Sequence, residues 1–319
     1  MKELVNKVLV TGKLVKNNIE EFEHEGVEKI GGSLILRTAD MSEHEINFST
    51  TKYKKDEGGN FTSEETYFYK QYKDACENLK DIEHCQEGEN PDIISITDAS
   101  FSANDFKDKA TGNIITTNKL YARFINRVEP KDYESTILEA KFEVEGIIES
   151  IKDEIVKEVP TGNLIVNLVA IRQNQKDYKD SNSYEADSLT PIKLIVDKDM
   201  ATAFRSAGYY EGGFAKFVGS VINTVEITKQ VEKAAFGTDI EKEVKRTIKK
   251  NLIKSGTAVS TIFEHELTQE VVDALKAKRK AKLAEIKAGV AKSSEVAEGF
   301  EKNTSTPAPQ TTYNPFAQN

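Results

Sequence analysis

Alternating apolar and polar residues at positions 119–124 predict a β-strand with two unlike faces. Leu120, Ala122 and Phe124 form an apolar face that suits a core. The opposite face places an aromatic ring between two cations, in the order Lys119, Tyr121 and Arg123. Such a ring can stack on a base while the cations pair with phosphates. An ordinary antiparallel strand with a solvated face has the same pattern, so both interpretations stay open for this segment alone.

The first part of the chain contains further strand patterns and one helical segment. Residues 4–16 form a β-branched run interrupted by Gly12, and a glycine inside a strand predicts a bulge or sharp bend. Thr62 and Glu65 fit a capping box and predict a helix that follows them. Other strands are predicted at residues 31–37, 45–53, 92–97 and about 114–127. The predicted order is three strands, a helix, and then further strands.

The same order repeats after residue 130. Residues 141–148 resemble residues 8–15 around a second glycine, Gly146, and residues 162–172 resemble residues 31–37. Both of the latter runs end on an arginine, Arg37 in one and Arg172 in the other. A strand at 191–196, a helix at 200–207 and a strand at about 214–229 follow. This internal similarity predicts two copies of one fold.

The pattern of residues 239–255 supports two interpretations. Ile240, Val244, Ile248 and Leu252 recur at every fourth residue, which predicts a helix. The repeat predicts a fifth strand in the same place, if tertiary pairing overrides the local pattern. We favour the strand, because two copies of one fold should close in the same way.

The end of the chain differs from both copies. A helix with several exposed lysines is predicted from residue 267 to about 286, and such a charge run is typical of a solvated face. From residue 293 onward there is almost no apolar residue before Tyr313, Pro315 and Phe316, which predicts a disordered tail. Its aromatic tip fits a peptide that binds partners, and a tail without function fits the pattern equally well. The predicted divisions are residues 1–130, 137–255, 256–292 and 293–319.

Composition narrows the class of protein. The chain has 319 residues, of which 38% are hydrophobic and 30% charged, as in globular proteins. No apolar run approaches the roughly 18 residues that span a bilayer, and the N-terminus lacks a signal-peptide pattern, so we expect no membrane association and a cytoplasmic location. The net charge of −9 argues against a broad basic surface for duplex DNA. It argues less against a single-strand binder, whose cations need only line one groove.

No motif in the sequence indicates catalysis. The chain lacks a phosphate-binding glycine-rich loop, a nucleophile elbow and a pair of histidines at metal-ligand spacing. Cys76 and Cys85 do not form a paired Cys-x-x-Cys arrangement and are predicted to be reduced structural thiols. We therefore expect no enzyme activity, no metal and no cofactor.

A five-stranded barrel, bent at a glycine of its first strand and with a helix between strands three and four, describes an OB-fold. The chain resembles the phage or bacterial single-stranded DNA-binding proteins, with OB units over residues 4–255, a helical appendix and a Pro-Phe tip at residues 314–316. The resemblance implies a mainly β protein with two tandem OB-fold-like barrels. It implies that the protein coats single-stranded DNA during replication, recombination or repair, and that its tail binds replication or recombination proteins. If phage-encoded, it would act in the cytoplasm of a bacterial host.

The resemblance assigns binding residues by strand position. The predicted stacking rings are Tyr53, Tyr121, Tyr209, Tyr210 and Phe214. The predicted phosphate contacts are Arg37, Lys52, Lys54, Lys119, Arg123, Arg172, Lys193 and Lys216. Core positions are predicted for Phe48, Phe124, Phe142 and Phe217, and Phe214 fits a core as well as a base. Tyr67, Tyr69 and Tyr72 are predicted to pack their helix onto the barrel.

Two alternatives stay open at this stage. A structural or scaffold protein could use the same two barrels only to bind other proteins, since fold alone does not give function. Cations interleaved with tyrosines along one groove favour nucleic acid, whereas scattered cations favour the scaffold. RNA and DNA are not distinguished, because stacking on a ring is indifferent to the sugar.

Overall fold

The computed structural model describes residues 1–56, 58–176, 180, 182–232, 236 and 240–289. Most of these residues lie in β-strands. The strands are β1 (Asn6–Asn17), β2 (Glu20–His24), β3 (Val27–Arg37), β4 (Glu43–Thr51), β5 (Tyr53–Lys55), β6 (Phe61–Glu65), β7 (Ile93–Lys107), β8 (Ile114–Tyr121), β9 (Asn126–Arg127), β10 (Glu139–Val156), β11 (Val159–Gln175), β12 (Tyr184–Val196), β13 (Phe214–Glu232) and β14 (Ile240–Gly256). The α-helices are α1 (Tyr67–Asn78), α2 (Lys198–Ser206) and α3 (Gln269–Ala288).

Five strands of the first half close into a barrel. β1 pairs antiparallel with β3 and with β7, β3 pairs with β4, and β7 pairs with β8. The ring closes where β8 runs parallel to β4, with Ile46 opposite Leu120. Helix α1 lies between β4 and β7 in the chain, which are the third and fourth strands of the barrel. These pairings are those of an OB-fold and confirm the predicted class.

The second half closes in the same way. β10 pairs antiparallel with β11 and β13, β11 with β12, and β13 with β14. The closing contact is again parallel, with Ile195 of β12 opposite Leu252 of β14. Helix α2 lies between the third and fourth strands. The ambiguous segment is therefore a strand from Ile240 to Gly256, as favoured, because pairing with β13 overrides its helical spacing.

The bend glycines allow the first two strands of each barrel to approach closely. A Cβ atom on Gly12 would lie 2.8 Å from the carbonyl oxygen of Arg37, and one on Gly146 would lie 2.3 Å from that of Val169. Each barrel is filled by alternating inward residues, and the rings of Phe48, Phe142 and Phe217 are fully buried as predicted.

The two barrels share one continuous sheet. β1 and β10 pair antiparallel from Asn6 opposite Val144 to Thr11 opposite Glu139. Each barrel also contacts the third strand of the other through an asparagine on its fourth or fifth strand. Asn118 donates to the backbone carbonyl of Pro191 at 2.8 Å. Asn223 donates reciprocally to the backbone carbonyl of Glu43.

Helix α3 packs against both barrels. The guanidinium of Arg279, on this helix, donates two hydrogen bonds of 2.7 and 3.1 Å to the buried carboxylate of Asp105 on β7. Lys278 forms an ion pair of 3.1 Å with Asp187 on β12. The apolar side of the helix, with Val272 and Leu275, packs against Ile147 and Val169 on the outside of the second barrel. These residues belong to a hydrophobic cluster separate from the barrel interiors, which we call the second hydrophobic cluster. No helix in the described part of the chain is long and apolar enough to span a bilayer.

Two predicted boundaries are wrong. Residues 62–65 do not cap a helix but belong to β6, which forms a hairpin with β5. Helix α1 begins later, and its N-cap is Thr66, whose hydroxyl accepts the N–H of Tyr69 at 3.1 Å. The strand predicted up to residue 127 ends at Tyr121, and β9 is a separate short strand. The predicted tail, with Tyr313, Pro315 and Phe316, lies outside the described residues.

Candidate nucleic-acid interface

The outer face of β8 carries Lys119 and Tyr121, while Leu120 between them is buried in the barrel. Both outer side chains are half-buried against the neighbouring strands. Burial, together with the nearby carboxylate of Glu45, raises the pKa of Tyr121 to about 12. The phenol therefore stays neutral at physiological pH and keeps its proton as a hydrogen-bond donor.

Immediately after β8 the chain turns around an aspartate. The carboxylate of Asp98 accepts the backbone N–H groups of Arg123 at 3.0 Å and of Phe124 at 3.3 Å. The Arg123 side chain is 72% exposed, and its guanidinium lies 3.7 Å from the Asp98 carboxylate and 5.8 Å from the centre of the Phe124 ring. Phe124 is 38% exposed, so its predicted core position is wrong. The alternation that assigned it to the core stops where the strand stops.

Three aromatic rings form a patch beside this turn, which we call the aromatic patch: Tyr67, Phe68 and Phe124. The Phe68 ring lies 5.3 Å from that of Phe124 and 5.5 Å from that of Tyr67, both in edge-to-face geometry. Tyr67 is 64% exposed, contrary to its predicted packing role. Tyr69 and Tyr72 are buried as predicted. Tyr67 differs because it lies about 200° around the helix from Tyr69.

The β5–β6 hairpin adds further rings and cations. Phe61 is exposed, and the Lys55 ammonium lies 4.9 Å from the centre of its ring. Lys52 lies 5.2 Å from the ring of Tyr53 and forms an ion pair of 2.8 Å with Glu28. Sequence reasoning missed Phe61 because it assigned these residues to a helix cap. The preceding Gly58-Gly59-Asn60 is a turn signal that would have indicated the hairpin.

Other predicted cations of the first barrel are paired with carboxylates. Arg37 donates to Glu43 through Nε at 3.0 Å and Nη2 at 2.6 Å. Lys54 is ion-paired with Glu64 across the hairpin. These exposed pairs leave the cations accessible to solvent, and a phosphate can compete for them because exposed ion pairs are weak.

The predicted residues of the second barrel are more dispersed. The Tyr209 ring stacks on Phe204 at 4.5 Å, and its hydroxyl donates to the backbone carbonyl of Thr257 at 2.8 Å. Phe214 is 1% exposed and its ring stacks on that of His265 at 4.0 Å, so it is a packing residue and not a stacking platform. The remaining positions are Tyr210, Arg172 and Lys193, which are exposed, and Lys216, which is half-buried in an ion pair with Glu143 at 2.7 Å.

Three of the predicted residues of the first barrel lie together. Lys119, Tyr121 and Arg123 follow one another along β8 and the turn after it, beside the aromatic patch. Within the described ranges, no group of three His, Cys, Asp or Glu residues is placed to hold a metal ion. Cys76 and Cys85 are free thiols.

Comparison with known proteins gives a family. The sequence matches the family model described as YorF over residues 4–289. The chain belongs to the YorF family. No curated protein sequence matches this member of the family.

Some solved structures are distantly similar to this YorF-family chain. The wild-type single-stranded DNA binding protein from Thermus aquaticus matches at 10% identity and a TM-score of 0.45, over 81% of this chain and 94% of that one. A deletion mutant of that protein matches at 9% identity and a TM-score of 0.41, over 79% of this chain and 93% of that one. A Replication Protein A heterotrimer bound to ssDNA matches at 13% identity and a TM-score of 0.23, over 88% of this chain and 53% of that one. The fold assignment rests on the strand pairings described above.

Proposed function

We propose that this chain is a non-catalytic single-stranded DNA-binding protein that coats and protects DNA in the cytoplasm during replication, recombination or repair. The observation that carries the proposal is the surface after β8, where exposed Arg123 lies over Phe124 next to exposed Tyr67. Exposed rings beside unburied cations match the two chemical features of a single strand, its bases and its phosphates.

The barrel topology supports the same conclusion. In an OB-fold the outer face of the second and third strands is the surface that binds oligonucleotides. In the first barrel these strands are β3 and β4, and β8 with Tyr121 lies directly beside β4. Each base stacked on a ring contributes about 1 to 3 kcal/mol, so two or three stacks give useful affinity.

The net charge favours single strands over duplexes. The net charge of −9 disfavours the binding of duplex DNA, a polyanion that would have to approach a broad surface of the protein. A single strand can instead follow a narrow path along Lys119 and Arg123. Its unstacked bases are also free to contact rings, whereas bases in a duplex are not.

A protein-binding scaffold is the second candidate. Exposed aromatic residues and arginine are the residue types enriched at the energetic centres of protein interfaces. The same aromatic patch would then bind a protein side chain in place of a base. Nucleic-acid titration separates the two candidates.

The test is a fluorescence-anisotropy titration with labelled oligo-dT of about 30 nucleotides, the matching duplex and oligo-U of the same length, at two salt concentrations. We expect salt-sensitive binding that prefers single strands. The variant Tyr67→Ala, Phe124→Ala should bind roughly 30-fold more weakly or worse, because two stacking contacts are lost. Adding Arg123→Ala should weaken binding further and reduce its salt dependence.

Phe263→Ala is the control, since Phe263 is a ring about as exposed as Tyr67 and located just before α3. We expect its affinity to equal that of the wild type. Equal affinity for duplex and single strand, or an aromatic-patch variant that binds as well as wild type, would contradict the proposal. Absence of any binding at low salt would favour the scaffold.

A further inference from the structure

Strand register relates each position of the first barrel to one in the second. In the first barrel, the residue after the bend glycine is Lys13, which pairs with Arg37. In the second barrel, the residue after the bend glycine is Ile147, which pairs with Val169. The position equivalent to Arg37 is therefore Val169, and the predicted alignment with Arg172 is wrong by three residues. The pair of exposed Lys13 and half-buried Arg37 in one barrel is an apolar pair in the other.

The ring position of β8 is also apolar in the second barrel. Tyr121 lies opposite Ser100 of the fourth strand. In the second barrel, Ser220 of the fourth strand occupies the position of Ser100, and the residue opposite it is Leu252. Leucine therefore replaces the tyrosine. Beside it, Ile195 of the third strand is buried. This face of the second barrel thus lacks the aromatic residue that we propose as a stacking platform in the first.

The C-terminal segment covers part of this apolar face. Ile147 and Val169 are only 8% and 7% exposed although they point away from the barrel interior. They belong to one hydrophobic cluster with side chains of α3 and of the residues before it. The outer-face members are Ile147, Val169, Ile171 and Leu189, and the covering members are Ile262, Leu267, Val272 and Leu275. Removing α3 would therefore expose these apolar side chains to solvent.

The first barrel has two additions that the second lacks. The β5–β6 hairpin, with Tyr53 and Phe61, lies between β4 and α1. In the second barrel β12 ends at Val196 and α2 begins at Lys198, which leaves no room for a hairpin. The turn with Phe124 follows β8, whereas β14 leads into the segment that covers the second barrel.

The cations on the outer face of the second barrel face an internal carboxylate. The hydrogen bond from Asn163 lowers the pKa of Glu154 most, against the opposing effect of burial, and the hydrogen bond from Thr161 and the charges of Lys250 and Lys193 lower it further. Asn163 and Thr161 donate to the same Glu154 oxygen at 2.9 Å each. A carboxylate near these lysines does not distinguish the two barrels, because Arg37 and Lys54 of the first barrel are paired with carboxylates too.

From these differences, we infer that one barrel binds DNA and the other does not. The first barrel holds the single strand alone, and the outer face of the second is a platform for α3 that also supports the first barrel. This inference rests on the proposed function, since it specifies which part of the chain carries it. It predicts a short binding site, of the size typical of one OB-fold.

The test combines a length series of oligo-dT with two matched variants of the full chain. Affinity should rise with length and level off by about 16 nucleotides, the upper range for one OB-fold. The second-barrel variant Lys193→Ala, Tyr210→Ala, Lys250→Ala should stay within about twofold of wild type, whereas the variant Tyr67→Ala, Phe124→Ala should lose roughly 30-fold or more.

The outcomes distinguish this inference from the proposed function. Wild type that binds no oligonucleotide overturns the proposed function, and the inference with it. Wild type that binds, but whose affinity keeps rising well beyond about 16 nucleotides, shows that a second site contributes and overturns the inference alone. A tenfold or greater loss in the second-barrel variant, with unchanged melting temperature, overturns it as well.

Discussion

At the scale of single residues, His44 is a titratable side chain enclosed in the first barrel. It lies on β4, is 2% exposed, and its Nε2 atom has no hydrogen-bond partner among the described residues. Burial lowers its pKa from 6.5 to about 4, although the nearby Asp40 carboxylate acts in the opposite direction. The folded protein therefore keeps this imidazole neutral at pH values where the unfolded chain protonates it.

This difference predicts how stability changes with pH. Because the unfolded chain binds a proton below pH 6.5 that the folded protein does not bind until about pH 4, the free energy of unfolding should fall as pH falls between these values. The total loss from this group should be about 3 kcal/mol. Urea unfolding at several pH values measures it. His44→Gln should flatten the dependence, and a slope in this variant equal to that of the wild type would exclude His44 as the cause.

Residue positions could be predicted from sequence only where periodic structure continues. Leu120, Tyr69 and Tyr72 are buried as their strand or helix spacing predicts. Phe124 is exposed because β8 ends before it, at hydrogen bonds to Asp98, a residue on a different strand. The exposed rings that carry the proposed function thus lie where local periodicity ends.

At the scale of elements, α3 is joined to the first barrel by the buried ion pair of Arg279 with Asp105 and by the Lys107 ammonium, which donates to the carbonyl of Lys287 at 2.9 Å. The Arg279→Ala substitution leaves the Asp105 carboxylate buried without its cation, which should cost about 3 to 5 kcal/mol. Lys278→Ala removes the more exposed pair with Asp187 and should cost about 1 kcal/mol or less.

Urea unfolding of both variants measures the difference between these two costs. A small and equal effect of both substitutions would mean that α3 is held by apolar packing alone. In that case Val272→Ala and Leu275→Ala should be the more damaging changes, since both side chains are buried in the second hydrophobic cluster.

Element types were predicted well where local and tertiary preferences agree. The two helices between third and fourth strands and the helix near the C-terminus lie where the apolar periodicity predicts them. The β5–β6 hairpin was mistaken for a helix cap because Thr62 and Glu65 satisfy the capping pattern locally, yet they pair with β5. The strand β14 was favoured only because the repeat demanded it.

At the scale of the whole molecule, the acidic surface predicts a modest salt dependence of binding. If three or four cations contact phosphates, the logarithm of the association constant should fall with the logarithm of salt with a slope of about −2 to −3, at roughly 0.7 per contact. The candidates are Lys54, Lys55, Lys119 and Arg123. Titration of oligo-dT from low to moderate salt measures the slope, and a value near zero, or one much steeper than −6, would contradict a site of this size.

The architecture could be predicted in part. The repeated bend glycine revealed two copies of one fold, and both barrels close as expected. The pairing of β1 with β10 and the position of α3 could not be predicted, because they depend on surfaces that meet far apart in sequence. The difference between the barrels became visible only when strand register placed Val169 where Arg37 lies.

The shared sheet limits how the molecule can be divided. β1 is hydrogen-bonded on one side to β7 and, over residues 6–11, on the other side to β10. Producing each barrel without the other would leave two unsatisfied backbone edges, and exposed edges recruit other strands. Each half would satisfy its free backbone groups by pairing its first strand with that of another copy. The intact chain is thus a pseudo-dimer joined by its own backbone, in which the two halves are always present in equal amounts and are free to diverge in role.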